Sequence, residues 1–125
     1  MAKQVYQSIA ASDLSASAAT AETVTAPFAG KLLINESYIR AGEIVTAAST
    51  TAAIVYVLVG GVTVSSSTPD STVLTAVGTT QALTSDSDSY IEFSKGDDIV
   101  MSHAQAVGAT ITGTTYFHLA LEWAK

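Results

Sequence analysis

Asp86 and Asp88, set one residue apart in TSDSDSY, offer alternate carboxylate oxygens of the kind that ligate Ca²⁺. A dedicated calcium loop needs more ligands and a bidentate Glu at fixed spacing, which this run lacks, so the pair reads first as a solvated loop. Asp97 and Asp98 follow Gly96 at a turn, and neighbours on a strand point to opposite faces, which denies them a shared acid–base site. The two histidines, His103 and His118, are too few for a histidine metal cluster; a satisfied core or surface histidine is the expected state of each. Serines are plentiful, yet none sits in a Gly-x-Ser-x-Gly elbow, and no phosphate loop or dinucleotide fingerprint is present. Tyr6, Tyr38, Tyr56, Tyr90, Tyr116 and Trp123 suit a sugar-stacking platform, but also ordinary core and cross-strand pairs. Nothing here makes a positive case for an enzyme, and no cofactor is implied.

The bulk properties narrow the setting in which these residues must be held. A chain of 125 residues is one domain by length. It should bury roughly two-thirds of its unfolded surface. With no cysteine, disulfides and thiolate metal sites are excluded. Only 13% of residues are charged, and Ala, Ser, Thr and Val fill the space. A net charge of −6, with five cations scattered along the chain, argues against nucleic acid, whose binding needs clustered Lys and Arg. The longest apolar run, Ala52 to Val62, is too short for a membrane helix and contains Gly60-Gly61. The opening MAKQVYQSIAAS lacks a continuous hydrophobic core, so secretion by the standard route is not expected.

The pattern along the chain predicts an all-β fold, a single antiparallel β-sandwich. Residues 1–21 read as an N-terminal strand and a loop from Ser12 to Ala21, joined to a sandwich over residues 22–125. Pro27 and Gly30 mark a corner. In Lys31–Arg40, Leu32, Ile34 and Tyr38 share one parity while Leu33 and Ile39 share the other, which predicts a bulge near Asn35-Glu36. Ile54 to Val59 is apolar on both parities, so a sandwich strand here has a second face to hide, under a crossing segment or another subunit. Gly60-Gly61 predicts a two-residue hairpin to Val62-Thr63-Val64. Ser65 to Ser71 reads as a loop and Thr72 to Val77 as a short strand. Tyr90–Phe93 and Ile99–His103 read as two strands meeting at a Lys95-Gly96-Asp97 hairpin turn. In the closing TTYFHLALEWAK, Phe117, Leu119, Leu121 and Trp123 fall on one face, the clearest alternation in the chain.

Three segments in this order, APFAGKLLINESYIRAG, YIEFSKGDDIVMSHAQAVGA and YFHLALEWAK, resemble small virion proteins of tailed bacteriophages. Those proteins run from an "aPfaGki" strand through a hairpin to an "f..GD.i.v.s" stretch and end on an apolar strand; the resemblance covers residues 22 to 123. It implies a jelly-roll-like sandwich and the role of a head decoration, or cement, protein. Such proteins commonly assemble as homotrimers over junctions between major capsid protein subunits. The expected place is then the capsid surface of the virion, after synthesis in the host cytoplasm. On this reading the contacts with neighbouring subunits fall to Val5, Tyr6 and Ile9 of the first strand, and to Val55, Val57 and Val59 of the doubly apolar one. A tail, neck or fibre component is the nearest alternative, and a carbohydrate-binding module, with Ca²⁺ near Asp86 and Asp88, is the one from a different class.

Overall fold

A computed structural model describes residues 3–15, 18–47, 52–84, 90–105 and 111–124, with 3–8 and 124 described by backbone alone. The closing alternation forms β11 (Thr114–Ala124), and it buries Phe117, Leu119, Leu121 and Trp123 on one face. Along one side β1 (Lys3–Asp13) pairs antiparallel in unbroken register, from Lys3↔Ala124 to Asp13↔Thr114. Along the other lies β3 (Gly30–Ala41), which also carries two short strands, β7 (Thr80–Ala82) and β8 (Ile91–Phe93). A second sheet has the order β2 (Ala18–Thr25), β9 (Asp98–Gln105), β5 (Ala53–Val59), β6 (Val62–Ser67). A small ribbon of β4 (Thr46–Ala47) and β10 (Ile111–Thr112) completes the set.

The pairings are nested. The first strand meets the last (β1·β11), the second meets β9, the third meets β7 and β8, and β5 meets β6 at the centre. One long antiparallel hairpin whose successive pairs fall alternately into two sheets is the jelly-roll topology. The inner faces meet in a core of Leu32, Ile39, Phe117 and Leu119 from the first sheet and Val55, Val57, Ile99 and Met101 from the second, each fully shielded from solvent. At roughly 25 cal/mol per Å² of apolar surface removed from water, these aliphatic and aromatic rows are the main stabilising term.

The bulge in β3 falls where the alternation breaks. Leu119 alone stands against residues 34–37, between the pairs His118↔Tyr38 and Ala120↔Leu33. Ser37 fills the irregularity: its Oγ donates to the Leu33 carbonyl at 2.8 Å and accepts from the Ala120 amide at 3.0 Å. The inward set therefore switches from Leu32 and Ile34 to Ser37, Ile39 and Ala41. The Gly60-Gly61 hairpin also forms, with φ of +58° and +83°, the two positive values that a type I′ turn needs.

Four expectations are corrected. The Ala-Thr stretch after Ser12 is a strand from Ala18 onward: pairing with β9 outweighs its small-residue composition. β1 instead ends at a turn in which Asp13 Oδ1 accepts from the Ser15 amide at 3.0 Å and the Ser15 hydroxyl at 2.6 Å. Ser65 to Ser67 continue β6, since Ser65 and Ser67 point inward and are satisfied by Thr84: Ser65 Oγ donates to its carbonyl at 2.7 Å, and its amide donates to Ser67 Oγ at 3.0 Å. Thr72–Val77 is no strand, because Asp70 Oδ1 draws in the Thr72 amide at 2.8 Å and its carbonyl accepts from the Leu74 amide at 2.8 Å. Finally, β8 and β9 lie in different sheets, so Lys95-Gly96 turns a corner between layers and not a hairpin.

Two substitutions probe this arrangement. Trp123→Ala, which removes a buried ring set edge-on to Phe93 at 5.4 Å, should lower unfolding free energy by about 3–5 kcal/mol in urea titration. Ser37→Ala should cost about 1–3 kcal/mol, by stranding the Leu33 carbonyl and the Ala120 amide. Glu36→Ala, at an exposed position in the same bulge, should stay within about 0.5 kcal/mol of the parent. Equal effects at 36 and 37 would contradict the role given to Ser37.

Candidate functional site

With both inner faces closed on one another, the side chains open to a partner lie on the two outer faces. On the second sheet the parity of β5 decides which they are. Val55, Val57 and Val59 point into the core at 0%, 0% and 7% exposure, so the expected contact through these three is corrected: they cannot reach a neighbour without opening the sandwich. The same strand turns Ile54, Tyr56 and Leu58 outward, one residue out of step. These stand beside Ala104, Ser102 and Val100 of β9. Ala18, Thr20 and Thr23 of β2 and Ser66 and Thr63 of β6 extend the same rows. None of these positions is charged, although the chain carries five basic and eleven acidic residues. Charge stands only at the margin, with Glu22 on the edge strand and Asp98 accepting from Thr25 Oγ1 at 2.7 Å. Ile54, 45% exposed, is the most open aliphatic of the central rows.

The outer face of the first sheet is of another kind. Two registered rows cross it: Ile9, His118, Tyr38 and Ala82, then Ala11, Tyr116, Arg40 and Thr80. The rings of Tyr38 and His118 stack at 4.6 Å between centroids and 10° between planes. The Arg40 guanidinium lies 4.7 Å from the Tyr116 ring centroid, and its Nε donates to His118 Nε2 at 3.1 Å. Accepting at Nε2 leaves the neutral imidazole's proton on Nδ1, which is buried and has no hydrogen-bond partner. Farther along this face Lys31 is in register with Glu122 and Glu92, and its Nζ sits 4.4 Å from the Tyr90 centroid.

Of the first-strand candidates, Ile9 is 52% exposed and in register with His118, beside this cluster. Val5 and Tyr6 belong to β1 by backbone, but their side chains lie outside the described residues, as do Asp86 and Asp88 altogether. Of the aromatics weighed for a sugar platform, Tyr38 and Tyr116 lie on one outer face, Tyr56 on the other, and Trp123 in the core. Among the described residues no three His, Asp or Glu gather as a metal site. His103 accepts or donates across a 2.6 Å contact between its Nδ1 and Ser12 Oγ. At 1% and 3% exposure this Ser–His pair ties β9 to β1 through the core and is closed to a substrate.

The Arg40 cluster was not legible as a site from the sequence. One signal was available: Arg40 is the only arginine, in a strand with Tyr38. Its meeting with His118 depends on a pairing 78 residues apart, which single-chain periodicity does not encode. No protein-family model, curated protein or solved structure matches this chain.

Burial, then the Arg40 charge, holds the His118 imidazole below its ordinary pKa of 6.5. A protonated Nε2 would face the Arg40 Nε–H donor to donor. Because the folded value is depressed, the unfolded chain takes up the proton first as the pH falls. The stabilisation from neutral His118 is thus complete above about pH 6.5 and is lost as the pH drops from there through the folded-state pKa. Thermal melts between pH 8 and pH 5 should show a decline in this window that His118→Phe removes. An identical slope in parent and variant would contradict the assignment.

Proposed function

We propose that this chain is a non-enzymatic structural protein of a tailed-phage particle, which decorates the outer surface of the capsid and stabilises the shell through contacts with the major capsid protein and with its own copies, as a trimer. The observation that carries the reading is the uncharged outer face of the second sheet. An acidic chain with about half the usual share of charge still has enough charged side chains to cover both outer faces, yet one face is built from Ile54, Tyr56, Leu58, Val100 and hydroxyl residues. Depletion of charge at the centre with aromatic and aliphatic anchors is the composition of an interface core. The resemblance of the three strand segments to phage decoration proteins supplies the identity of the partner, and the jelly-roll topology fits it. Since a fold alone does not determine function, the face matters more than the topology.

The size of the face constrains the mechanism. Four strands about 4.8 Å apart and seven residues rising about 3.3 Å each give roughly 20 by 23 Å. That is about half of the roughly 800 Å² per partner of a standard stable interface. One such contact is weak; repeated over a symmetric lattice and joined to contacts between copies, it holds by avidity. A ligand that binds only the assembled shell then stabilises it by mass action.

The direct test is the copy number of this chain relative to the major shell protein, by quantitative mass spectrometry of purified native particles. Near one copy per shell subunit is expected. A few copies or dozens would place it at the vertices, neck or tail, and absence would overturn the virion reading. Ile54→Asp should weaken attachment to particles about tenfold or more while leaving the melting temperature of the free chain nearly unchanged.

A further inference from the structure

On the opposite face, the geometry points to a second docking site: we propose that Arg40, oriented by His118 and Tyr116 and flanked by Tyr38 and Ile9, receives a carboxylate from an acidic peptide segment of a protein partner. This goes beyond the shell contact proposed above and does not use the same face.

Arg40 is the only arginine in a chain with eleven carboxylates, and among the described residues none of them pairs with it. Its described contacts are the Nε–H···Nε2 bond to His118 and the ring of Tyr116. Both fix the plane of the guanidinium and leave the two terminal nitrogens unassigned. A fork held in one plane is the donor geometry that matches a carboxylate with two parallel hydrogen bonds. Little side-chain freedom then remains to be lost on binding.

A second, independent observation lies beside it. The Nδ1–H of His118 is a buried donor without an acceptor, and Nε2 is already committed to Arg40. Unsatisfied buried groups are uncommon in folded proteins. Stacking on Tyr38 fixes the ring, so its Nε2 holds the guanidinium in place.

The charge of the site and its apolar rim identify the occupant. A cation near the end of β3, with no carboxylate paired to it among the described residues, complements a negative group. Tyr38 gives one ring face to His118 and Tyr116 one to Arg40, which leaves this pair poorly disposed to act as a sugar-stacking platform. Ile9, 52% exposed in the adjacent row with His118 and Tyr38, offers instead an aliphatic contact for a neighbouring side chain of an extended peptide. Tyr and Arg are also among the residue types that dominate binding energy at protein contacts.

The probe is acetyl-tetraglutamate amide, titrated into the full chain and followed by the NMR signals of the Arg40 Nε–H and the His118 ring, with tri-galacturonate as the acidic-sugar arm. The peptide should shift both signals, and its affinity should fall at least tenfold in Arg40→Gln and detectably in Arg40→Lys, which keeps the charge and loses the fork. Unchanged thermal melting of the variants confirms that they remain folded. Equal peptide binding by parent and Arg40→Gln would overturn the proposal, as would tri-galacturonate binding tenfold more tightly than the peptide. Particle attachment is measured beside it: parent and Arg40→Gln should attach equally through the other face. A parent that fails to attach removes the virion reading and leaves the peptide result standing.

Discussion

The fold depends on one constraint, the pairing of the last strand between the first and the third. β11 lies inside its sheet, so β1 and β3 have no common neighbour until the C-terminal residues arrive. Its Phe117, Leu119, Leu121 and Trp123 row provides the hydrophobic surface on which the inner face of that sheet is organised. Of the nested pairings enclosed by this one, only the β5·β6 hairpin is local; the β2·β9 and β3·β8 pairs join segments distant in sequence, whose loop-closure entropy must be met before contacts repay it. What the closure fixes, beyond stability, is parity. Once β11 is set, every residue on its neighbours is committed to the core or to the outside.

The two outer faces follow from that commitment and from one departure from it. Were β3 regular, Tyr38 and Arg40 would share the inward parity of Leu32 and Ile34. The bulge around residues 34–37, held by the Ser37 hydroxyl, turns them outward and brings Ile39 in. An arginine that would be an unpaired buried charge becomes the centre of an aromatic cluster on the surface. On the other sheet no such device is needed. Simple alternation in β5 sends valines inward and Ile54, Tyr56 and Leu58 outward, and the absence of charge from the positions in register with them makes the face continuous. The first face thus offers an oriented cation and the second a neutral surface.

Much of this arrangement was legible in the sequence where the signal is local. The all-β sandwich, the Gly60-Gly61 hairpin, the inward row of β11 and the bulge in β3 all follow from periodicity and from glycine placement. Where hydrogen bonds from side chains reshape the chain, reading failed: Asp70 converts an apparent strand at Thr72–Val77 into a turn, and Thr84 converts the serines of an apparent loop into β6. Valine content drew attention to Val55, Val57 and Val59, whereas the side chains facing outward are those between them. A run apolar on both parities shows that two faces need cover but not which face is inner; the sheet on the far side of the core decides that.

The absence of cysteine from the chain permits the sharpest test of this account, single-cysteine substitution at each position from 54 to 59 followed by thiol labelling in the free state and on particles. Even positions of β5 face outward and, on the proposed function, are covered by the shell. Cysteines at 54, 56 and 58 should label readily in the free chain and become protected on the particle, while those at 55, 57 and 59 should label only on unfolding. Labelling of the odd positions in the folded chain, or even positions that remain equally reactive on the particle, would contradict it.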